Sequence, residues 1–382
     1  MRRPTQFVQV LVVLGGLIGA LRFARAEHPC SEAATLIKQG VELGDGSESE
    51  ISLYRKAETL CPKMAESHFN IGLALQKKGD LTGAETELRQ AISLKDEENF
   101  RVGLAAVLLQ KGEVSAARDQ YDRVLAKNPK NVQALQGVAV ILEKQQKLDE
   151  AVDTLQRAAS YDASNATTFF NLGVLQEKLK RDDAAMAAYK RTVDIQPKNF
   201  LALYYLGVVQ TRLGVFMEAE RSLERAVEVN PDNVKARIAL AEVYERRGEK
   251  EKAEEALRRV MAIAPQNFYA LANLGVLLTN TGQYAEAIAV LTRAGALDPK
   301  SSRVWSALGH AQLEAGQAEE AEKNLRQAIA LDNSNASAHN NLGVLLQREG
   351  REDEARRQFA EALQLNPGLE VARKNLEVVG DE

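Results

Sequence analysis

One spacing runs through most of this 382-residue chain. Nine alanines recur along it, the first two 33 residues apart and each later pair 34 residues apart. They are Ala84, Ala117, Ala151, Ala185, Ala219, Ala253, Ala287, Ala321 and Ala355. A single globular core gives no reason for a constant interval, whereas stacked units need the same small residue at the same close contact. The spacing therefore predicts an array of like supersecondary units.

Each unit contains two helical faces when its alanine is numbered position 20. Position 7 is aliphatic, position 8 is Gly or Ala, position 24 is large and position 27 is mostly small. Positions 4, 7, 8 and 11 share one face of a helix, and positions 20, 24, 27 and 28 share one face of a second. The pattern therefore predicts two antiparallel helices that approach closely where positions 8 and 20 are small.

The ends of these helices are marked as clearly as their faces. Position 15 is usually glycine, which suits the left-handed residue that ends a helix. Position 32 is often proline, which cannot continue a helix, and the asparagine two residues later is a good N-cap. The N-cap asparagines are Asn131, Asn165, Asn199, Asn233, Asn267 and Asn335, with Ser301 as the one exception. In two units Gln146 and Lys180 replace the glycine.

This pattern resembles the tetratricopeptide repeat family, which has 34-residue helix-turn-helix units with small residues at positions 8, 20 and 27 and proline at position 32. The resemblance covers nine clear units over residues 65–369. Residues 27–64 hold an N-terminal tail and a degenerate first repeat (31–64), with Glu50 where alanine is expected. Residues 370–382 are expected to form a capping helix and tail. The resemblance implies an all-α fold, an α-solenoid in which the repeats stack as a right-handed superhelix.

The N-terminal segment differs from the repeats. Arg2 and Arg3 precede an apolar run over 7–21, and an Ala-Arg-Ala sequence ends at residue 26. This arrangement predicts a secretory signal peptide over 1–26, with Glu27 as the first mature residue and a periplasmic or secreted location. The alternative is an uncleaved N-terminal anchor, although the run is shorter than the about 20 residues of a membrane span.

The two cysteines fit an exported protein. Cys30 lies near the predicted mature N-terminus, and Cys61 lies at the end of the second helix of the degenerate repeat. In an oxidising compartment we expect them to form a disulfide that pins the N-terminal end of the array. The alternative is two unpaired thiols.

Catalytic chemistry is not indicated by the residue patterns. We find no phosphate-binding glycine loop, no nucleophile motif and no metal-ligand spacing. His68 and His339 occupy position 4, where a packing role is expected, and His310 occupies position 9. The net charge of −4 would become −8 without the four arginines of residues 1–26, which argues against nucleic-acid binding. We therefore expect no enzyme, no cofactor, no metal and no small-molecule substrate.

The sequence does indicate a surface for binding a partner. The resemblance implies that the first helix of each unit lines a concave groove through positions 2, 5, 6, 9, 12 and 13, which we call the inner positions. Position 9 is mostly apolar. Related superhelical arrays, such as that of O-linked N-acetylglucosamine transferase, use asparagines at position 6 to bind an extended peptide. Aromatic side chains add anchors. The candidate groove residues are Asn70, Phe170, Asn171, Tyr204, Tyr205, Tyr269, Asn273 and Asn341.

The asparagines at position 6 and the basic residues at position 13 can each be interpreted in two ways. Position 6 departs from asparagine at Gly103, Gly137, Tyr205, Ala239 and Ala307, which interrupts a continuous track. Position 13 is basic at Lys77, Lys144, Lys178, Arg212, Arg246 and Arg348, which we call the basic column. A positive column suits an acidic or amphipathic partner. Basic residues are also favoured at any helix C-terminus by the helix dipole.

The sequence therefore favours a non-catalytic scaffold in the cell envelope or secreted space that binds partner proteins or peptides in its concave groove. The alternative is a regulatory or substrate-recruiting subunit of a separately encoded enzyme. Membrane contact is expected only if the N-terminal segment is retained.

Overall fold

The part of the chain that the structure describes is mostly helical. The computed structural model describes residues 28–380, which contain twenty-one α-helices and no strand. The predicted signal peptide lies outside these residues. Contacts group the described residues into two units, with the division after Pro197. Within residues 28–380, no helix combines the length and apolar character needed to cross a membrane.

The first unit contains ten helices. They are α1 (His28–Leu43), α2 (Glu48–Leu60), α3 (Ala65–Lys78), α4 (Leu81–Leu94), α5 (Glu98–Gln110), α6 (Val114–Lys127), α7 (Val132–Lys144), α8 (Leu148–Tyr161), α9 (Ala166–Lys178) and α10 (Asp182–Ile195). Each odd-numbered helix packs chiefly on the even-numbered helix that follows it. Each helix pair is therefore one repeat, as the sequence predicts.

The second unit contains five further pairs and a final helix. They are α11 (Phe200–Arg212), α12 (Phe216–Val229), α13 (Val234–Arg246), α14 (Lys250–Ile263), α15 (Phe268–Asn280), α16 (Tyr284–Leu297), α17 (Ser302–Glu314), α18 (Ala318–Leu331), α19 (Ala336–Arg348), α20 (Glu352–Leu365) and α21 (Glu370–Gly380). Both units are α-solenoids, which confirms the predicted fold class.

Small residues bring the two helices of a repeat together. A Cβ atom added to Gly207 would lie 2.5 Å from Cγ of Leu223 and 3.3 Å from the carbonyl oxygen of Ala219. Ala219 and Leu223 are both fully buried. Positions 8, 20 and 24 of one repeat therefore meet at a single contact, which is why their residue sizes repeat along the sequence.

The predicted helix ends are also present. The side chain of Asn267 accepts a hydrogen bond of 2.9 Å from the backbone N–H of Ala270, and the other N-cap asparagines do the same. Ser301 occupies the N-cap position without a capping side-chain hydrogen bond. Gln146 and Lys180, which replace the position-15 glycine, take φ angles of 62° and 58°. The backbone at this turn is therefore left-handed whichever residue is present.

In the degenerate first repeat, the residues that meet between the two helices lie closer together in the sequence than in the repeat of Gly207. Its contact residue for Tyr54 is Gly40, whose added Cβ atom would lie 2.4 Å from Cε1 of the tyrosine ring. Fourteen residues separate this pair, whereas sixteen separate Gly207 from Leu223. Glu50 is buried and accepts hydrogen bonds from the backbone N–H of Gly46 and the hydroxyl of Tyr54. Its carboxylate therefore has a structural role that alanine could not supply.

The predicted disulfide is present in this repeat. Cys30 in α1 is bonded to Cys61 at the C-terminus of α2, with Cα atoms 5.1 Å apart. The bond joins the start of α1 to the end of α2.

Candidate functional site

An open groove crosses the inner surface of the second unit, and we call it the C-terminal groove. Its volume is about 760 Å³. It is formed by α15, α17 and α19 together with the start of α21, and its lining includes Val276, Arg303, His310, Asn341, Val344 and Val371. First helices of successive repeats therefore form this surface, as the resemblance implied.

The floor of the groove is formed by position 9. Val276 on α15, His310 on α17 and Val344 on α19 all line it. Burial lowers the pKa of the His310 imidazole; nearby Glu314 opposes this shift, and Arg348 adds to it. The neutral form of His310 is therefore favoured, and the floor carries little charge near neutral pH.

A chain of amides runs along one side of this floor. Nδ2 of Asn375 on α21 donates to Oδ1 of Asn340, and Nδ2 of Asn340 donates to Oδ1 of Asn341, each at 3.2 Å. The oxygen of Asn341 accepts this hydrogen bond with one of its two lone pairs, and Asn341 also lines the groove. Asn375 is absent from the predicted set, although it lies 34 residues after Asn341 and so continues the position-6 series.

Charged groups border the groove unevenly. Nη2 of Arg303 donates to Oδ1 of Asn273 at 3.0 Å. Burial raises the pKa of the Glu245 carboxyl, and nearby Arg303 opposes this shift, so Arg303 also faces a carboxyl group. Glu314 pairs with Arg348 at 2.8 Å, so these two charges offset each other. Lys374 occupies the next inner position of α21 after Val371 and is exposed.

The predicted aromatic residues fall into two groups. Phe170 belongs to the first unit, where its ring centroid lies 5.7 Å from that of Tyr189. Tyr204, Tyr205 and Tyr269 belong to the second unit. The rings of Tyr204 and Tyr205 meet edge to face at 5.2 Å, and Tyr269 is 52% exposed.

The predicted asparagines have different surroundings. Asn171 is buried and borders a cavity of only about 10 Å³ in the first unit. Nδ2 of Asn70 donates to the carbonyl oxygen of Glu66 in its own helix, at 2.7 Å. Asn341 lines the C-terminal groove, and Asn273 contacts Arg303 at its edge. The binding role of the set remains a prediction.

Packing explains two interruptions of the asparagine series. At Gly137, an added Cβ atom would lie 2.1 Å from Cζ of Tyr121, so the tyrosine ring occupies the space of a side chain. At Gly103, the ring of Phe69 lies 3.2 Å from the same place. At these two positions, side chains of the preceding repeat therefore occupy the space that a position-6 side chain would need.

The basic column is largely engaged with neighbouring groups. Lys178 pairs with Glu143 of the preceding repeat, and Nζ of Lys77 donates to the carbonyl oxygen of Gly44 at 2.7 Å. Arg246 lies 3.7 Å from Glu242. Arg348 pairs with Glu314, while Lys144 and Arg212 occupy the same position at the ends of α7 and α11. These contacts favour a structural role for much of the column.

The histidines at position 4 have packing roles, as expected. His68 and His339 are both buried. Nδ1 of His68 lies 2.7 Å from Oε2 of Glu87, and Nδ1 of His339 lies 2.7 Å from Oε1 of Gln358. Across residues 28–380, no group of three or more His, Cys, Asp or Glu side chains is arranged to hold a metal ion.

Solved structures similar to this chain include several repeat proteins. PilF of Pseudomonas aeruginosa has 16% identity and a TM-score of 0.49, covering 55% of this chain and 96% of its own. MamA of Desulfovibrio magneticus has 22% identity and a TM-score of 0.41, covering 44% and 96%. A tetratricopeptide repeat protein of Parabacteroides merdae has 18% identity and a TM-score of 0.42, covering 74% and 98%. No curated protein matches the sequence.

Family models identify the repeats directly from the sequence. Tetratricopeptide repeat models match residues 65–98, 102–166 and 141–200. The C-terminal domain model of cilia and flagella-associated protein 70, also built of these repeats, matches residues 233–370. These matches coincide with the helix pairs, the small-residue contacts and the left-handed turns. The chain therefore belongs to the tetratricopeptide repeat family.

Proposed function

We propose that this protein is a non-catalytic scaffold that holds partner proteins or peptides on the inner surface of its repeats, outside the cytoplasm. The observation that carries the proposal is the C-terminal groove, where three first helices and α21 form one open surface. Repeat arrays of this kind use extended concave surfaces for binding.

The composition of the groove supports a macromolecular partner. Aliphatic side chains form much of its floor, while amide and hydroxyl groups border them. Such a mixture offers apolar contact and hydrogen bonds along one path, as peptide-binding grooves require. No catalytic motif appears in the sequence.

Two features support a location outside the cytoplasm. The first is the arginine pair, apolar run and small-residue site over residues 1–26. The second is the disulfide between Cys30 and Cys61, because such bonds persist mainly in oxidising compartments. Together they favour the periplasm, the cell envelope or the exterior.

Site-directed photocrosslinking in the native host tests this proposal. A benzophenone amino acid replaces Tyr269, which is 52% exposed at an inner position, and as a matched control it replaces Tyr161, which is 43% exposed at position 30. We expect a defined protein of the exported fraction to crosslink at residue 269 and not at residue 161. Crosslinks only at residue 161, or none at either residue, would contradict the proposal.

The identity of the captured protein separates the two functions considered. Stable envelope or secreted proteins support the scaffold. A single enzyme whose activity changes on binding supports the regulatory or substrate-recruiting subunit.

A further inference from the structure

The first helix, α1, is attached to the rest of its unit by few apolar side chains. Only Ala33 and Gly40 are buried among the α1 residues whose exposure the structure describes. Val41 and Leu43, at the end of the helix, remain 47% and 49% exposed. Isolated helices below about 12–15 residues are marginal, and α1 has only 16, so it depends on what holds it in place.

α1 covers a small group of buried side chains, which we call the N-terminal cluster. It consists of Ile51, Tyr54, Ile71 and Ala74 of α2 and α3. Gly40 lies against the ring of Tyr54, and Ile37 of the same helix packs on the cluster. Removal of α1 would therefore expose an apolar surface that includes Tyr54, which is 1% exposed in the folded protein.

The second helix of this repeat, α2, has attachments of its own. Nη2 of Arg55 lies 2.6 Å from Oε1 of Glu87 on α4, and Nδ1 of His68 on α3 contacts Oε2 of the same carboxylate at 2.7 Å. Glu48 pairs with Lys78 of α3. No ion pair described within residues 28–380 involves α1. Release of α1 therefore leaves α2 attached.

The linker between α1 and α2 is also held independently of α1. Nζ of Lys77 donates to the carbonyl oxygen of Gly44 at 2.7 Å, and the backbone N–H of Gly46 donates to Glu50 at 2.6 Å. Both glycines have positive φ angles, 53° and 76°. The chain is thus fixed from Gly44 onward, and the glycines provide a hinge about which α1 alone can move.

The disulfide ties the other end of α1. Cys30 is the third residue of α1, and its partner Cys61 follows the last residue of α2. Both cysteines are partly exposed, so a thiol reagent has access to the bond. While the bond is intact, α1 is tied at both ends and its release is opposed by the closed loop.

We propose that α1 is a redox-controlled cover, which stays on the N-terminal cluster while Cys30 and Cys61 are bonded and leaves it when they are reduced. The reductant is a dithiol. It supplies two electrons and two protons, becomes a disulfide itself and converts the Cys30–Cys61 bond into two thiols. The released segment is residues 28–43, and the uncovered apolar surface is that of α2 and α3.

Limited trypsin digestion of the full protein, with and without a dithiol, tests the release. Lys38 is the only lysine or arginine of α1, and Lys56 is a matched site on α2; both are exposed. We expect reduction to speed cleavage after Lys38 about a hundredfold and cleavage after Lys56 less than about tenfold. Mass spectrometry of early time points measures both rates.

A variant and a dye complete the test. In C30S/C61S, cleavage after Lys38 should be fast with or without the dithiol, because the chain has no other cysteine. Anilinonaphthalene sulfonate, whose fluorescence reports exposed apolar surface, should brighten when the wild type is reduced. In the variant, the dithiol should leave this fluorescence unchanged.

The proposal is overturned if cleavage after Lys38 has the same rate in both redox states, or if thiol labelling shows that the dithiol does not reduce the bond in the folded protein. Equal acceleration at Lys38 and Lys56 would also overturn it, because the whole repeat would then unfold. These measurements do not involve the C-terminal groove, so they are independent of the proposed function and of crosslinking at residue 269.

Discussion

At the scale of single residues, the fold depends on contacts between small and large side chains that recur in every repeat. Where a repeat departs from the pattern, a specific neighbour explains the change. Gly137 replaces a position-6 side chain because the ring of Tyr121 fills that space. Asp96 replaces the position-32 proline and accepts hydrogen bonds from Arg101 and Lys127. These contacts hold the pKa of the Asp96 carboxyl below its usual range.

The small-residue contact gives a prediction at this scale. Ala219→Leu should destabilise the protein by about 1–3 kcal/mol, because the larger side chain cannot fit where α11 and α12 meet at Gly207. The matched control Met217→Leu, on the same helix at a residue 49% exposed, should change stability by less than about 0.5 kcal/mol. Chemical denaturation measures both values. Equal effects of the two substitutions would show that the contact at position 20 is not tight.

At the scale of helices, the N-terminal repeat depends on a covalent link more than the others do. Among the residues of α1 whose exposure the structure describes, only Ala33 and Gly40 are buried. Ile37 is partly buried. Few apolar contacts therefore hold this helix on α2 and α3. The bond between Cys30 and Cys61 restricts the unfolded state of this helix pair.

Reduction of the disulfide should therefore loosen α1 and α2. The chain-entropy model gives about 3–4 kcal/mol for a loop of this size, and we expect a loss of this order in the local stability of the first repeat. Hydrogen exchange of the oxidised protein and of the C30S/C61S variant measures it, with α20 as the internal control. Unchanged protection of α1, or free thiols in the exported protein, would contradict the prediction.

At the scale of the whole molecule, the repeat in the sequence is continuous, whereas the contacts between residues fall into two units. The 34-residue interval continues past Pro197, where the first unit ends. Each unit has its own buried clusters, such as the one around Leu108 and Ile141 in the first and the one around Leu257 and Leu291 in the second. Stability in such arrays comes mainly from contacts between adjacent repeats.

Export gives a prediction for the whole chain. We expect the protein recovered outside the cytoplasm to begin at Glu27, because the segment before it has the features of a secretory signal. N-terminal sequencing and intact mass, compared with 41.9 kDa for the full chain, measure this. An intact Met1 in the membrane fraction would instead support a retained anchor.

The sequence alone determined the helix pairs, their close contacts and most of their caps. These features depend on neighbours within one repeat, so each leaves a mark at a fixed interval. The bond between Cys30 and Cys61 was expected, and the structure decided it against two unpaired thiols. Only the tertiary structure decided which inner surface is open, because that depends on side chains from adjacent repeats. The ring of Tyr121 fills the side-chain space at Gly137, whereas Val371 of α21 lines the open groove. Whether an inner residue is accessible to a partner thus depends on packing between adjacent repeats. The 34-residue interval of the sequence does not encode that packing.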